Sequence, residues 1–174
     1  KHTVAGAAFV SNFAFWNESG YFNGDSKLKP LLHLWSLGIE EQYYIVWPLI
    51  AWFAWKKQVN LLKVCLVLLI ASLLANIVTV KYNAVAAFFS PATRFWELLV
   101  GSVLAYVALH RPLSQTTEKQ DVRNNQAAWA GLLLLLIGMV FIKPERRFPG
   151  FWALLPTLAA YLIIYAGPQA WFNR

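Results

Sequence analysis

The sequence predicts an all-α protein: a polytopic bundle of transmembrane helices with about five full spans after a partial N-terminal segment. Three observations predict it. Of 174 residues, 59% are hydrophobic and 13% charged, against roughly 45–50% and about 25% in soluble domains. Mean hydropathy is +0.48, and the apolar residues gather in long uncharged runs rather than in the short periodic stripes of a soluble core. The cations stand singly or in pairs at the ends of those runs, where Lys and Arg reach the lipid headgroups, and many of the nine Trp lie there too. A net charge of +7 so distributed points to the bilayer as partner and excludes nucleic acid.

Residues 3–16 (TVAGAAFVSNFAFW) are uncharged but short of a span and interrupted by Ser11 and Asn12, so they read as a truncated or half-inserted helix. Residues 17–35 carry Glu18, Gly20, Gly24, Asp25, Lys27, Lys29 and Pro30, the chemistry of an extramembrane loop. The first full span is expected from Ser36 to Trp55, kinked at Pro48 and closed by Lys56 and Lys57. Leu61 to Val80 is the second and Phe95 to Leu109 the third, with Glu97 its only charge. Residues 111–126 (RPLSQTTEKQDVRNNQ) are polar, mixed in charge and without apolar period, and read as a second extramembrane loop or disordered link. Residues 127–142 and Phe151 to Ala166 give the last two spans, the latter ended by Gly167 and Pro168. There is no internal repeat. With no initiating Met and an apolar run from the outset, the whole of 1–174 reads as an internal fragment of one membrane domain.

Orientation by positive charge decides little, since alternate loops collect eight and seven of the 15 basic residues. The excess of one favours a cytoplasmic 56–60 loop and an outward-facing 17–35 loop. Cys65 lies in an apolar run and behaves as a small hydrophobe.

Ionisable groups inside spans are costly and mark function by default. Two places qualify. In the first, helical spacing puts His33, Ser36, Glu40 and Tyr44 near one face and Leu37, Glu41 and Ile45 on the next stripe. The structural alternative is that Glu40 and Glu41 complement the helix dipole in a first turn. In the second, Arg94 and Glu97 stand three apart, where they can pair with each other, or Arg94 can hold an anion such as a phosphate in its planar fork. Gly101 and Ala105 continue the Glu97 face with small residues open to a close helix or a ligand. His33 beside Trp35 is a base or an interfacial residue, and the Trp residues read as an interfacial belt. No phosphate-loop, dinucleotide, zinc or serine-elbow pattern is present, so no metal and no bound cofactor is expected.

The segments HLWSLGIEEQYYIVWPL (33–49) and SPATRFWELLVGSVLA (90–105) resemble two signatures of acyltransferase family 3, the integral membrane O-acyltransferases of the bacterial O-antigen and peptidoglycan O-acetylase type. The matching positions are His33, Trp35, Ser36, Leu37, Glu40, Glu41, Gln42, Tyr43, Tyr44, Trp47 and Pro48, then Thr93, Arg94, Trp96, Glu97, Leu98 and Gly101. The resemblance implies transfer of an acyl group, usually acetyl from acetyl-CoA, to a hydroxyl of a cell-surface glycan, lipopolysaccharide or lipid-linked sugar at the bacterial inner membrane. It implies catalytic roles for Glu40, Glu41 and His33, and substrate-binding roles for Trp35, Ser36, Arg94 and Glu97. It also places a catalytic Arg and His about ten residues apart on a helix upstream of Lys1, so the chain taken alone is expected to be inactive. The competing class is a transporter or flippase-type carrier of a glycan or acyl group, in which Glu40, Glu41 and Glu97 would couple transport without bond chemistry. A structural membrane subunit is the third class.

Overall fold

The computed structural model describes residues 2–19, 33–110, 118–142 and 148–173. Among the described residues there are helices and turns and no strand. The chain divides into two compact units, 1–99 and 100–174.

The first unit opens on two short helices, α1 (His2–Ala7) and α2 (Ser11–Ser19). The expected truncated helix is thus broken in two, and the cause is local. Phe9 sits at φ +57°; its N–H bonds the Gly6 carbonyl (3.1 Å) and the Val10 N–H reaches back to Ala5 (2.9 Å). That pair of reverse bonds around a left-handed residue is a Schellman stop. Helix α3 runs without interruption from Leu34 to Lys56, with Pro48 inside it, and ends the same way, with Gln58 at φ +56° and the Val59 N–H bonded to Ala54 (2.9 Å). Asn60 then caps α4 (Leu61–Tyr82) by accepting from the Lys63 N–H at 3.3 Å. Asn83 caps α5 (Ala84–Phe89) through the Ala86 N–H at 2.9 Å. Ser90, extended, separates α5 from α6 (Pro91–Leu109), with Pro at the first helical position, where its missing N–H costs nothing.

The second unit is built on α7 (Glu118–Phe141) and α8 (Leu154–Ala166), the latter preceded by a single 3₁₀ turn over Gly150–Ala153. Small residues hold the two helices together. Ala128, Ala159, Ala166 and Ala170 are almost completely buried, and a Cβ on Gly131 would lie 2.8 Å from the Ala159 carbonyl oxygen. Gly167, at φ +76°, ends α8 where the sequence predicts an end.

Three helical stretches are long and apolar enough to cross a membrane: Leu61–Tyr82, Ala84–Leu109 and Asp121–Phe141. Five were expected. Helix α3 has the length, at 23 residues or about 34 Å, but its first half carries the polar motif; Gly150–Ala166 is apolar but shorter. The segment expected as a loop at 111–126 is also corrected in part. Helix α7 begins at Glu118, so its polar first turns extend an apolar helix, whereas residues 111–117 lie outside the described residues. Of the 17–35 loop, residues 20–32 lie outside them too, while 17–19 end α2, His33 takes the N-cap position of α3 and 34–35 open it.

Candidate active-site cleft

The motif on α3 is held by the break between α1 and α2. Ending α1 at Phe9 leaves backbone groups that no helix satisfies, and inside a bilayer each needs a partner. Gln42 supplies one: its Nε2 donates to the Phe9 carbonyl at 2.7 Å and to Asn12 Oδ1 at 2.9 Å. Asn12, fully buried, donates from Nδ2 to the Phe89 carbonyl at 3.1 Å. Ser11 Oγ donates to the Leu34 carbonyl at 2.6 Å. Gly38, one turn before Gln42, lets this happen, since a Cβ there would lie 3.1 to 3.3 Å from Ser11 Oγ, the Phe9 carbonyl oxygen and Asn12 Oδ1. The two residues that seem in sequence to interrupt an apolar run are therefore the ones that tie α2 to α3 and α5.

On the other side of α3, Trp35, Ser36 and Glu40 meet Arg94, Glu97 and Leu98 of α6 around a small cleft of about 60 Å³, with Ile39 among its lining. Arg94 Nη2 bonds Glu97 Oε2 at 3.0 Å, with the two side chains only 14% and 22% exposed. The intrahelical pair foreseen three residues apart is present, and it borders the cleft. Glu97 Oε1 is buried with no hydrogen-bond partner among the described residues. The Arg94 guanidinium lies 5.5 Å from the centre of the Trp35 ring and 5.8 Å from that of Phe88. Trp35 in turn packs tilted against Phe88 at 4.3 Å and edge-on to Phe89 at 5.7 Å. An aromatic wall over a poorly hydrated guanidinium keeps the charge and leaves the planar fork with fewer water contacts to lose on meeting an anion.

Of the seven candidate residues, five line this cleft: Trp35, Ser36, Glu40, Arg94 and Glu97. His33 is exposed at the mouth of α3, and its carbonyl accepts from Ser36 Oγ at 3.3 Å. Glu41 is partly buried but does not line the cleft. The helix-dipole reading of the two carboxylates loses ground, because α3 starts at Leu34 and has no acid in its first turn, outside which the dipole effect falls away. Tyr44, placed with Glu40 by spacing, is 59% exposed. Trp35 belongs to the cleft rather than to a belt, and Trp96 is 1% exposed inside the first unit, whereas Trp52 and Trp55 stay exposed at the end of α3. Gly101 faces open space, with nothing within 4 Å of a Cβ built on it. Reading the sequence missed Phe88 and Phe89; an aromatic pair directly before Ser-Pro and the Arg motif is the signal that could have found them. Among the described residues, no group of three or more His, Cys, Asp or Glu stands together.

Between α3, α4 and α6 lies a half-open apolar cavity of about 300 Å³, bordered by Tyr43, Trp47, Leu68, Ser72, Phe95 and Leu99.

A helical integral membrane protein with an acid and guanidinium cleft between α3 and α6 is the class that fold and cleft together define. The chain is 34% identical over 171 residues to an uncharacterized protein of Haemophilus influenzae, covering 93% of this chain and 69% of that one. It is 32% identical over 154 residues to the peptidoglycan O-acetyltransferase OatA of Listeria monocytogenes and 32% over 151 residues to the O-acetyltransferase OatA of Staphylococcus aureus. These cover 83% and 84% of this chain but only 24% and 25% of the longer relatives, so the chain spans about a quarter of their length. No family model matches the chain, and no solved structure matches it. The chain belongs to acyltransferase family 3, the integral membrane O-acyltransferases.

Proposed function

We propose that the chain forms part of an enzyme that moves an acetyl group from acetyl-CoA to a hydroxyl of a cell-surface glycan, with peptidoglycan as the first acceptor to test. The observation that carries this reading is the meeting of the two motifs. Residues 54 and 57 positions apart in sequence, Glu40 on one side and Arg94 with Glu97 on the other, border a single cleft. The names of the Listeria and Staphylococcus relatives support the reaction, and the former names peptidoglycan, which puts that polymer ahead of the lipopolysaccharide also implied by resemblance.

The chemistry asks for such groups. Attack of a sugar oxygen on the thioester carbonyl forms the C–O bond and breaks the C–S bond. The hydroxyl proton passes to a base, and the coenzyme leaves as a thiolate that is then protonated. A hydroxyl of high pKa needs that base held in place, and the donor's phosphates need a cation. In our reading Glu40 orients the base or accepts a hydrogen bond from the acceptor hydroxyl, Arg94 receives an anionic part of the donor against Trp35, and Glu97 holds Arg94 in register. His33 and Glu41, outside the cleft, take secondary places. The bacterial inner membrane is the location that fits, because the donor is made in the cytoplasm and the acceptor is exported.

The test is acetyl transfer by the complete gene product in detergent, with labelled acetyl-CoA and peptidoglycan. A base-labile acetyl ester on the glycan is the expected product. Glu40→Gln should lower its formation by about 10²-fold or more at equal membrane level, the lower range for acid–base groups. Glu41→Gln should cost far less. A protein that makes no ester in detergent yet moves a glycan or acyl group across sealed vesicles would be the carrier instead.

A further inference from the structure

We propose that Ser72 and Asn76, in the middle of α4 and outside both motifs, are positioning residues that set the Arg94–Glu97 pair, an inference that rests on the acyl-transfer reading above. Ser72 Oγ donates to the Ala92 carbonyl at 2.6 Å and accepts from the Trp96 N–H at 3.0 Å. Those two backbone groups are the two ends of one rung of α6, since an α-helix joins each N–H to the carbonyl four residues earlier. One hydroxyl has a single proton to give and lone pairs to receive, so it can serve both ends at once. A side chain lodged at a rung fixes the local rise and direction of the helix.

Asn76 repeats the contact one turn further on. Its Nδ2 donates to the Thr93 carbonyl at 2.8 Å, the acceptor end of the rung whose donor is the Glu97 N–H. The pair therefore grips two successive rungs, Ala92 to Trp96 and Thr93 to Glu97, and Arg94 and Glu97 lie within that stretch. Thr93 extends the grip to α5, its Oγ1 lying 2.8 Å from the Ala87 carbonyl oxygen and 2.9 Å from that of Ser90. Helix α5 carries Phe88, which lies beside the Arg94 guanidinium. Ser72, Asn76 and Thr93 are all buried, and in a span flanked by hydrocarbon such polar groups are expensive unless they hold something. What they hold is the turn that presents the charged pair.

The test is steady-state kinetics of the complete gene product in detergent, with donor and acceptor varied separately. Ser72→Ala and Asn76→Ala should each raise the donor KM about five- to tenfold, the worth of one hydrogen bond, with the acceptor KM changed by less than about twofold. Ser72→Thr keeps the hydroxyl and can turn its methyl into the adjoining apolar cavity, so it should restore the donor KM. In an Arg94→Lys background, adding Ser72→Ala should shift the donor KM by less than about twofold more, because the two changes act through one group. A donor KM unchanged in Ser72→Ala and Asn76→Ala, or shifts that simply multiply with Arg94→Lys, overturns the proposal while leaving the acyl-transfer reading standing. Should the alanine variants fail to accumulate, Ser72→Cys, which keeps the size and weakens the donor, is read in the same way; if it too fails to accumulate, the residues are scaffold and the proposal falls. Absence of any transfer by the unmodified protein overturns the reading beneath it and this inference with it.

Discussion

The first unit is joined by polar side chains that reach backbone carbonyls of neighbouring helices, and the second by small side chains that let helices touch. In residues 1–99, Ser11, Asn12, Gln42, Ser72, Asn76 and Thr93 donate to carbonyls of Leu34, Phe89, Phe9, Ala92, Thr93 and Ala87 in turn. The carbonyl of Phe9 lies at the break after α1 and that of Phe89 at the end of α5, while those of Leu34, Ala92 and Thr93 lie in the first turns of α3 and α6. In residues 100–174, Asn125 and Asn173 serve helix ends, at Trp171 and at Ile163 and Gly167, and the long contact between α7 and α8 is made over Ala128, Gly131 and Ala159. The difference shows where a bilayer protein can keep irregular backbone. Without water to satisfy a freed carbonyl, a helix can stop inside the membrane only where a neighbour brings a donor. The cleft of Glu40, Arg94 and Glu97 lies in the unit that has those stops, and the regular pair of α7 and α8 has only the apolar merit of close packing.

The widest gap between the two units should appear when charge is removed from the first. Arg94→Ala or Glu97→Gln alone leaves one member of a largely buried ion pair behind, a loss of about 3–5 kcal/mol in comparable cases. Scanning the detergent-solubilised protein by thermal unfolding should show both single variants strongly destabilised and the double variant recovering much of the loss. Acetyl transfer should remain low in the double variant. Recovery of full transfer together with stability would make the pair a scaffold, and the first unit would then differ from the second only in its means of packing.

In the second unit the equivalent blow is steric. Gly131→Ala puts a methyl 2.8 Å from the Ala159 carbonyl oxygen and 2.8 Å from Ile163 Cγ1. One of these is backbone and cannot turn aside, so α7 and α8 must separate by several tenths of an ångström. The expected cost is about 1–3 kcal/mol, as for overpacked cores, read as a lower unfolding temperature. The donor KM of the folded fraction should stay at the unmodified value. A KM shift as large as that of Arg94→Lys would show that the cleft depends on the second unit, and the division drawn above would fail.

How much of this was legible in sequence follows the same division. Apolar runs with cations at their ends gave away the helices of both units, and the two motif segments gave away five of the residues around the cleft, because each is a local pattern. The N-terminal break was misread: Ser11 and Asn12 stand out as polar interruptions, but their partners lie 23 and 77 residues away, and no local rule reports such a distance. Nothing local marks Ser72 and Asn76 either, since their partners on α6 lie 17 to 24 residues away. The start of α7 at Glu118 was missed on different grounds. Its first turns, EKQDVRNNQ, show no apolar period, yet a polar stretch joined to a long apolar helix can continue it, since propagation adds a hydrogen bond per residue without a new nucleus.

The smallest effect tests whether crowding, rather than the loss of a glycine as such, sets the cost at Gly131. Gly138, two turns later on α7, has room: a Cβ there would meet Ile142 Cδ1 at 3.7 Å and Leu155 Cβ at 3.8 Å, both ordinary contacts with side chains. Gly138→Ala therefore adds a methyl without displacing backbone. In water, replacing a mid-helix Gly by Ala gains roughly 0.5–1 kcal/mol, because Ala loses less backbone freedom on folding. Inside a bilayer the unpacked helix is already a helix, since its backbone groups have no other partners, and most of that entropic gain is absent. What is left is the dispersion of one methyl against two side chains, about 0.1–0.2 kcal/mol for each close atom pair. The expected outcome is an unfolding temperature unchanged or raised by a degree or so, opposite in sign to Gly131→Ala. A loss at Gly138 equal to that at Gly131 would mean that α7 tolerates no side chain at either glycine, and close approach to α8 would then extend two turns beyond the contact at Ala159.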